Sequence, residues 1–570
     1  MKRIGTLLFT LFALDGLSDI SVPLSGATIY QSDGSAANVQ ALHNAALDGD
    51  TIILPPGTFM WSRPVTISKA IKIQGEGSGR IVGWSRSSQT FGTGAKTFVV
   101  QNGFTAATGT NLRIWRIATN KETSYMLGTV TSVSGTSLTV NVTSNTGNGS
   151  ASLWLIATEL STRVSHGAGA NSLLSLCEST AGDVEVSGIQ FTTATGTGTI
   201  VALNYTASGR PILIHDCWFY QTAEGSDIIR DLDTNRGVIW NCSFAWSFWA
   251  QSNSQALHFP LNKRTEVWSS PSTMGMADST GANNFYVEDC DFHGGVGVSD
   301  FDSNSKVVWR HNINDHAGLA SHGYDTSAYG TRHWEIYDNQ FLFANLGDCD
   351  GSKTLSLINH MLLRGGTGVI ANNYIEDITS CAWGNKPEIQ FGVWCLGRWS
   401  QSPGAYDADD NCIAHYPAPR QFGFGRVTGS GVDGQGHATS NGVYVGDSEP
   451  AYIWGNTGFQ PAISVTTDGQ ACVANQYGHV PDSPTDYIQA GRDYIMGVKP
   501  GYVKFIYPHP LRTVLTQSPP TSTATSNTTV VAVNKLQKHW KKTKMIGSKK
   551  TTTKGKLGHN AAENSPEPHE

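Results

Sequence analysis

The residues best suited to chemistry in this 570-residue chain lie between Asp300 and Lys353. Asp300 and Asp302, then His322, Tyr324 and Asp325, then Asp348 and Asp350 recur at intervals of about two dozen residues, with His316, Arg332 and Lys353 beside them. Asp300, Asp302, Asp348 and Asp350 are hard oxygen donors of the kind that hold Ca²⁺. Such an ion, or the Arg332 guanidinium, would neutralise an acidic sugar and stabilise the charge developing beside its carboxylate. His316, His322, Tyr324 or Asp325 would then move the proton, provided one of them lies within hydrogen-bond reach of it. Together these parts suit β-elimination from a uronate. Two carboxyl groups roughly 6.5–9.5 Å apart would instead suit inverting glycoside hydrolysis. Asp300 or Asp302 meets that spacing with Asp348 or Asp350 if they sit two layers apart in a stack of strands, ~9.6 Å. Lys353, Trp383 and Trp399 complete the set as substrate-binding residues, the Trp rings serving to stack on sugars.

These residues can meet only if the chain repeats, and it does. VEDCDF (Val287 to Phe292), WRHNIN (Trp309 to Asn314) and EIYDNQF (Glu335 to Phe341) share one phrase: an apolar residue, two variable ones, a Cys or Asn, one more residue, then usually Phe. The phrase occurs earlier in ILIHDCWF and VIWNCSF and later, degraded, in VIANNYI and YIWGN. Its Cys/Asn slot falls at Cys217, Cys242, Cys290, Asn312, Asn339, Asn373 and Asn456. The spacing is about two dozen residues, with the 48-residue step from Cys242 to Cys290 read as a doubled one and the step to Asn373 as an insertion. A fixed period in this range signals a repeat architecture. Each unit is a short run rich in Ile, Val, Trp, Tyr and Phe bounded by Gly, Asn, Asp and Ser, which is a strand signature. Such a unit buries no core alone, but stacked coils pair their backbones and align equivalent side chains in columns. An Asn at an interior bend can bond the coils above and below it, and a buried Cys fits the same column as a small apolar residue. The fold class expected is therefore all-β, a right-handed parallel β-helix.

Asn38 to Leu47 (NVQALHNAAL) is the one clear helix, with Val39, Leu42 and Ala46 on one face and Asn38 as its N-cap. It would cover the open first coil, whose core and strand edges are otherwise exposed. The helix, GDTIILPPGTF (Gly49 to Phe59), the strand Val65 to Ile67 and IKIQGEG (Ile71 to Gly77) together resemble the N-terminal end of the parallel β-helix proteins of the pectate-lyase-like superfamily. The resemblance covers residues 29–510 in architecture. It implies a polysaccharide-active protein, since members are mostly secreted polysaccharide lyases and glycoside hydrolases, with phage tailspikes and adhesins among them. No family motif fixes the activity. Ser321-His322-Gly323 precedes Asp409-Asp410, the reverse of the order in polygalacturonases, and no pectate-lyase Ca²⁺ site can be matched residue by residue.

The remaining segments set the context. Lys2 and Arg3 ahead of the apolar run Ile4 to Leu14 read as a signal peptide over residues 1–18, which implies a secreted or periplasmic protein. Two stretches depart from the repeat. One is a small β insertion at about 105–160 that contains a hairpin with a Ser-Gly turn (Tyr125 to Val142). The other, a Trp- and Pro-containing region at about 378–447, is read as loops. Cys217, Cys242 and Cys290 are expected as reduced core residues. Pairing among Cys349, Cys381, Cys395 and Cys412 stays open. Residues 518–570 form a Ser/Thr-rich, then Lys-rich tail, expected to be disordered. From Lys535 onward it carries nine Lys and three Glu, leaving 30 basic and 42 acidic residues in the body. An acidic body without nucleic-acid motifs argues against nucleic acid as a partner, and no run of ~18 apolar residues predicts a membrane span. The partner expected is a polysaccharide, bound by a monomer.

Overall fold

The computed structural model describes residues 26–515 apart from connecting segments. The longest of these are 260–271, 343–359, 377–388, 394–421, 428–445 and 468–487; positions 316 and 324–329 are also among them. The described residues form a parallel β-helix. Three parallel sheets run its length: twelve strands from Ile29–Gln31 to Tyr494–Met496, ten from Gly57–Trp61 to Thr457–Gly458, and ten from Val65–Ile67 to Ile463–Thr467. Ten coils contribute one strand to each sheet in that order, and Ile29–Gln31 and Tyr494–Met496 extend the first sheet at its two ends. Ile214, Ile239, Val287, Trp309, Ile336, Ile370 and Ile453 stand in one file across seven coils of the first sheet.

The repeated phrase is the bend from the first sheet into the second. The residue before each slot is left-handed: Asp216, Asn241, Asp289, His311, Asp338 and Asn372 have φ between 50° and 58°, and Gly188 and Gly455 take the same place. Asp, Asn and Gly tolerate this conformation, which explains their recurrence there. The slot side chains form the expected column. The backbone N–H groups of Cys290, Asn312, Asn339 and Asn373 donate to the side-chain Oδ1 atoms of Asn312, Asn339, Asn373 and Asn456 at 2.9–3.0 Å. The Nδ2 groups of Asn312, Asn339, Asn373 and Asn456 donate back to Val287, Trp309, Ile336 and Ile370 carbonyls at 2.9–3.1 Å. Cys217, Cys242 and Cys290 are free thiols facing the equivalent carbonyls of Val186, Ile214 and Ile239 at 3.7–3.9 Å. A weak S–H donor thus replaces the amide, and burial pushes the Cys242 thiol well above its ordinary range.

Inside the coils Phe191, Phe219, Phe244 and Phe292 stack at 5.4, 4.9 and 4.7 Å between ring centroids. Asn314 interrupts that file; Trp309 fills the space against Phe292 at 4.6 Å and donates its indole N–H to Asn314 Oδ1 at 3.1 Å. Asn339→Ala should lower stability by about 2–3 kcal/mol in chemical denaturation. It strands the buried Asn312 N–H and takes one bond from the Trp309 carbonyl, at ~1–3 kcal/mol for a buried group left unsatisfied. Cys242→Ala, which removes only a weak donor, should cost less.

Four sequence expectations need correction. The helix spans Ala36–Ala45 and its N-cap is Ser35, whose hydroxyl accepts from Asn38 N–H. Asn38 Oδ1 in turn accepts from Asp33 N–H, and Asn38 lies in the first turn. Val39 and Ala46 do enter the core, with Leu42 packed against it. The 48-residue step is one coil, because Gly237–Trp240 pairs directly with Phe285–Glu288; its extra length lies in the turns on either side of Leu257–His258. The small insertion begins earlier than residue 105. Its six-stranded antiparallel sheet runs from Ile81–Ser85 to Trp154–Thr158. It packs on the second sheet, where Trp115 meets Trp218 edge-on at 4.4 Å and Leu155 and Ala157 lie beside them. Finally, the region 378–447 is not all loop: it gives the third sheet Ile389–Val393 and an antiparallel pair, Phe424–Val427 with Gly446–Ser448. Cys349, Cys381, Cys395 and Cys412 lie outside the described residues, as do the 1–18 segment and the 518–570 tail. Among the described residues no helix is long and apolar enough to cross a membrane.

Candidate active site

Strand alternation decides what the third sheet shows to the outside. Leu257, Phe301, Leu319, Met361 and Leu363 point into the core, so the residues between them point outward. Pairing places Arg230, His258, Asp300, Ala320, Leu362 and Gln390 in one outward file, one residue per coil. A second file follows just past the strand ends. Phe301, Ser321 and Leu363 are register partners, and the next residues along are Asp302, His322 and Arg364.

The two files interlock at Asp300. With only a methyl group at Ala320, His322 reaches back across that position and sets Nε2 3.2 Å from Asp300 Oδ1, while its Nδ1 lies 3.5 Å from Asp302 Oδ2. The Asp300 Oδ1 contact lacks hydrogen-bond alignment. From the preceding coil His258 brings Nε2 to 3.5 Å from Asp300 Oδ2, and Gln255 donates to the same oxygen at 3.3 Å. Asp227 faces the other His258 nitrogen, Nδ1, at 2.8 Å. Arg364 binds back to the His322 coil, its N–H on Ser321 Oγ and its Nε on the Ser321 carbonyl, each at 3.1 Å. The result is an alternating chain of carboxylates and imidazoles, Asp227, His258, Asp300, His322 and Asp302. The His258 and His322 side chains keep 19% and 16% exposure, against 8–10% for the three carboxylates. Burial alone would lower the His258 pKa, but the Asp227 bond and the Asp300 charge outweigh it and hold this histidine above its ordinary range.

Four of the expected site residues are described. Asp300, Asp302 and His322 do come together. They do so with a two-residue slip: the turn from Cys290 to Ser299 is longer than that from Asn312 to Leu319, so His322 follows Asp302 and not Asp300 in register. Arg332 is corrected. Its side chain is fully buried, and its guanidinium pairs with Glu449 at 2.9 Å, which holds that carboxyl below its usual range against the opposing effect of burial. Asp348 and Asp350 were expected to stack with Asp300. The register gives those places to Leu362 and Arg364, because the coil is lengthened ahead of Met361–Leu363; both Asp fall in 343–359, outside the described residues. His316, Tyr324, Asp325, Lys353, Trp383 and Trp399 are outside them too. Among the described residues no three His, Cys, Asp or Glu side chains are grouped to hold a metal ion. Asp300 and Asp302 face imidazoles. His258, Asp227 and Arg364 escaped sequence reading altogether. His258 lies sixteen residues past its slot, Cys242, against ten for Asp300 past Cys290, so no constant spacing marks it.

No family model matches the sequence, and no curated protein matches it. Solved structures overlap it at low similarity. An alginate lyase from Paenibacillus sp. str. FPU-7 is 10% identical, with 80% of this chain and 99% of that one covered and a TM-score of 0.37. A tailspike protein of Pseudomonas phage LKA1 is 13% identical over 76% and 69% of the two chains, with a TM-score of 0.22. A tailspike of Pseudomonas phage phi297 is 12% identical over 76% and 67%, with a TM-score of 0.19. The strand pairing of this chain, not those overlaps, establishes its fold.

Proposed function

We propose that this protein is an exported polysaccharide-active enzyme, and that it is a lyase cleaving uronate-containing glycans by β-elimination. The observation that carries the reading is Asp300 held between two imidazoles on the outward face of the third sheet, with a guanidinium group two coils away on either side. Elimination requires a uronate carboxylate to be neutralised so that its neighbouring C5 proton becomes acidic. Arg364, beside His322, takes the part first assigned to Arg332, and Arg230 supplies a second guanidinium two coils from Asp300. His322 is the base. Asp302 orients its ring and stabilises the imidazolium that forms when it takes the C5 proton. Export rests on the basic and apolar start of the sequence (Lys2 and Arg3, then Ile4 to Leu14).

A hydrolase on the same residues is the second reading, favoured by one feature: Asp300 and Asp302 lie on either side of His322 and both face it. One panel separates the readings. Acidic and neutral polysaccharides are offered to the full chain, and ultraviolet absorbance of an unsaturated product is followed beside reducing-end release. Elimination raises both signals on polyuronates. Reducing ends alone would favour hydrolysis, and silence across the panel would leave a binding or adhesive β-helix.

A further inference from the structure

We propose that His258, held by Asp227, is the proton donor of this site, so that two imidazoles divide the labour across Asp300. The inference rests on the elimination reading and adds to it the partner reaction that His322 cannot perform alone. When C5 loses its proton, the electron pair of that bond becomes the C4–C5 double bond and the C4–O4 bond breaks. The departing oxygen leaves with its electron pair and needs a proton. Without one it departs as an alkoxide, a poor leaving group at neutral pH. Where that oxygen leaves from the ring face opposite His322, the protonated base cannot reach it and a second donor is required.

The geometry supplies one. The Leu257–His258 strand pairs directly with Ser299–Phe301, which puts His258 next to Asp300 in the outward file. Asp227 Oδ2 accepts from Nδ1 at 2.8 Å, which fixes the ring and makes Nε2 the working tip. That tip lies 3.5 Å from Asp300 Oδ2, on the opposite oxygen from the one His322 approaches. The groups facing His258 are Asp227 and Arg230 from the preceding coil and Asp300 from the following one, with Arg230 Nε 4.0 Å from Asp227. Two carboxylates against one guanidinium favour the charged ring, as its raised pKa reflects. The cycle also closes. His322 gains the proton from C5 and His258 gives one to the leaving oxygen, so one proton released by His322 to solvent and one regained by His258 restore both rings, and no electron is exchanged.

The test compares two substrates. One is a polyuronate, whose leaving oxygen needs a proton; the other is a uronide bearing a nitrophenolate at C4, whose leaving group needs none. In the full chain, His258→Gln should lose about 100-fold or more in kcat on the polymer, the range of a general acid's contribution, and lose far less on the nitrophenolate substrate. His322→Gln should lose heavily on both. Asp227→Asn, which keeps the shape of the pair, should show the same split between substrates as His258→Gln in milder form. Equal losses on both substrates for His258→Gln and Asp227→Asn, or no loss, would overturn the donor role while leaving the elimination reading intact. A wild-type chain that eliminates neither substrate would end that reading, and this proposal with it.

Discussion

His322→Ala should abolish measurable turnover on a polyuronate, a loss of about 10²–10⁴-fold in kcat, while leaving the thermal midpoint close to that of the wild-type chain. The two halves of that statement have separate grounds. The loss follows from position. Among the described residues His322 is the one imidazole that contacts both Asp300 and Asp302, at 3.2 and 3.5 Å, and it sits next to the Arg364 that would hold the sugar carboxylate. The intact fold follows from what the substitution spares. The His322 backbone N–H donates to the Phe301 carbonyl at 2.7 Å, and its carbonyl accepts from Thr331 at 2.8 Å, bonds that Ala makes equally well. The ring lies outside the apolar core formed by Phe301 and Leu319. Asp300→Asn should fall nearly as far, since it keeps the shape between the two imidazoles but removes the charge that attracts both. Steady-state rates beside a melting curve check this. A His322→Ala variant with full activity would remove the whole third-sheet patch from consideration.

What the sequence revealed and what it concealed divide along the coil. The bend from the first sheet to the second is two residues long in every described coil from Gly188 to Asn456: one left-handed residue, then the ladder slot. Interior bonds allow no extra residue there, so the phrase from Cys217 to Asn373 kept its form and the fold could be read from it. The other two connections differ in length from coil to coil, as lengthening a loop costs little free energy. The active-site file lies beyond the first of them. Counting from a slot therefore found Asp300 and came within two residues of placing His322, but it missed His258 behind a longer turn. It also chose Asp348 and Asp350 where the register puts Leu362 and Arg364. Arg332 misled for a different reason. Its place beside His322 in the chain suggested chemistry, yet strand alternation carries its side chain toward Glu449 and the first sheet. Columns of like residues can be read from a sequence; an assembly of unlike residues on neighbouring coils needs the register first.

Glu288→Ala should destabilise the protein by about 3–5 kcal/mol, the cost of leaving a buried charge without its partner. Glu288 stands on the outward face of the first sheet, yet it has no exposed surface, because the chain from Lys499 to Arg512 is laid across it. Arg310, equally buried, binds Glu288 through Nε at 2.8 Å and again through Nη2, and donates to the Phe505 and Ile506 carbonyls of that strap at 2.9 and 2.7 Å. Arg512 returns to the second Glu288 oxygen at 2.7 Å, where His509 N–H also donates at 3.2 Å. One carboxylate thus neutralises two guanidinium groups. Removing it leaves both cations in a low-dielectric crevice, with no anion between them except Asp289 beside Arg512. The strap keeps its outer ties, Tyr502 to Glu335 at 2.6 Å and Lys504 to Asp338 at 2.6 Å, so it should loosen first near Arg512. Chemical denaturation should report the lost stability, and brief trypsin treatment should cut at Arg512 sooner in the variant than in the wild-type chain. Arg310→Met, which removes one cation but fills its space with apolar volume, should cost less than Glu288→Ala. The reverse order, or a trypsin pattern identical to wild type, would mean that the strap is held by its apolar contacts and not by this carboxylate.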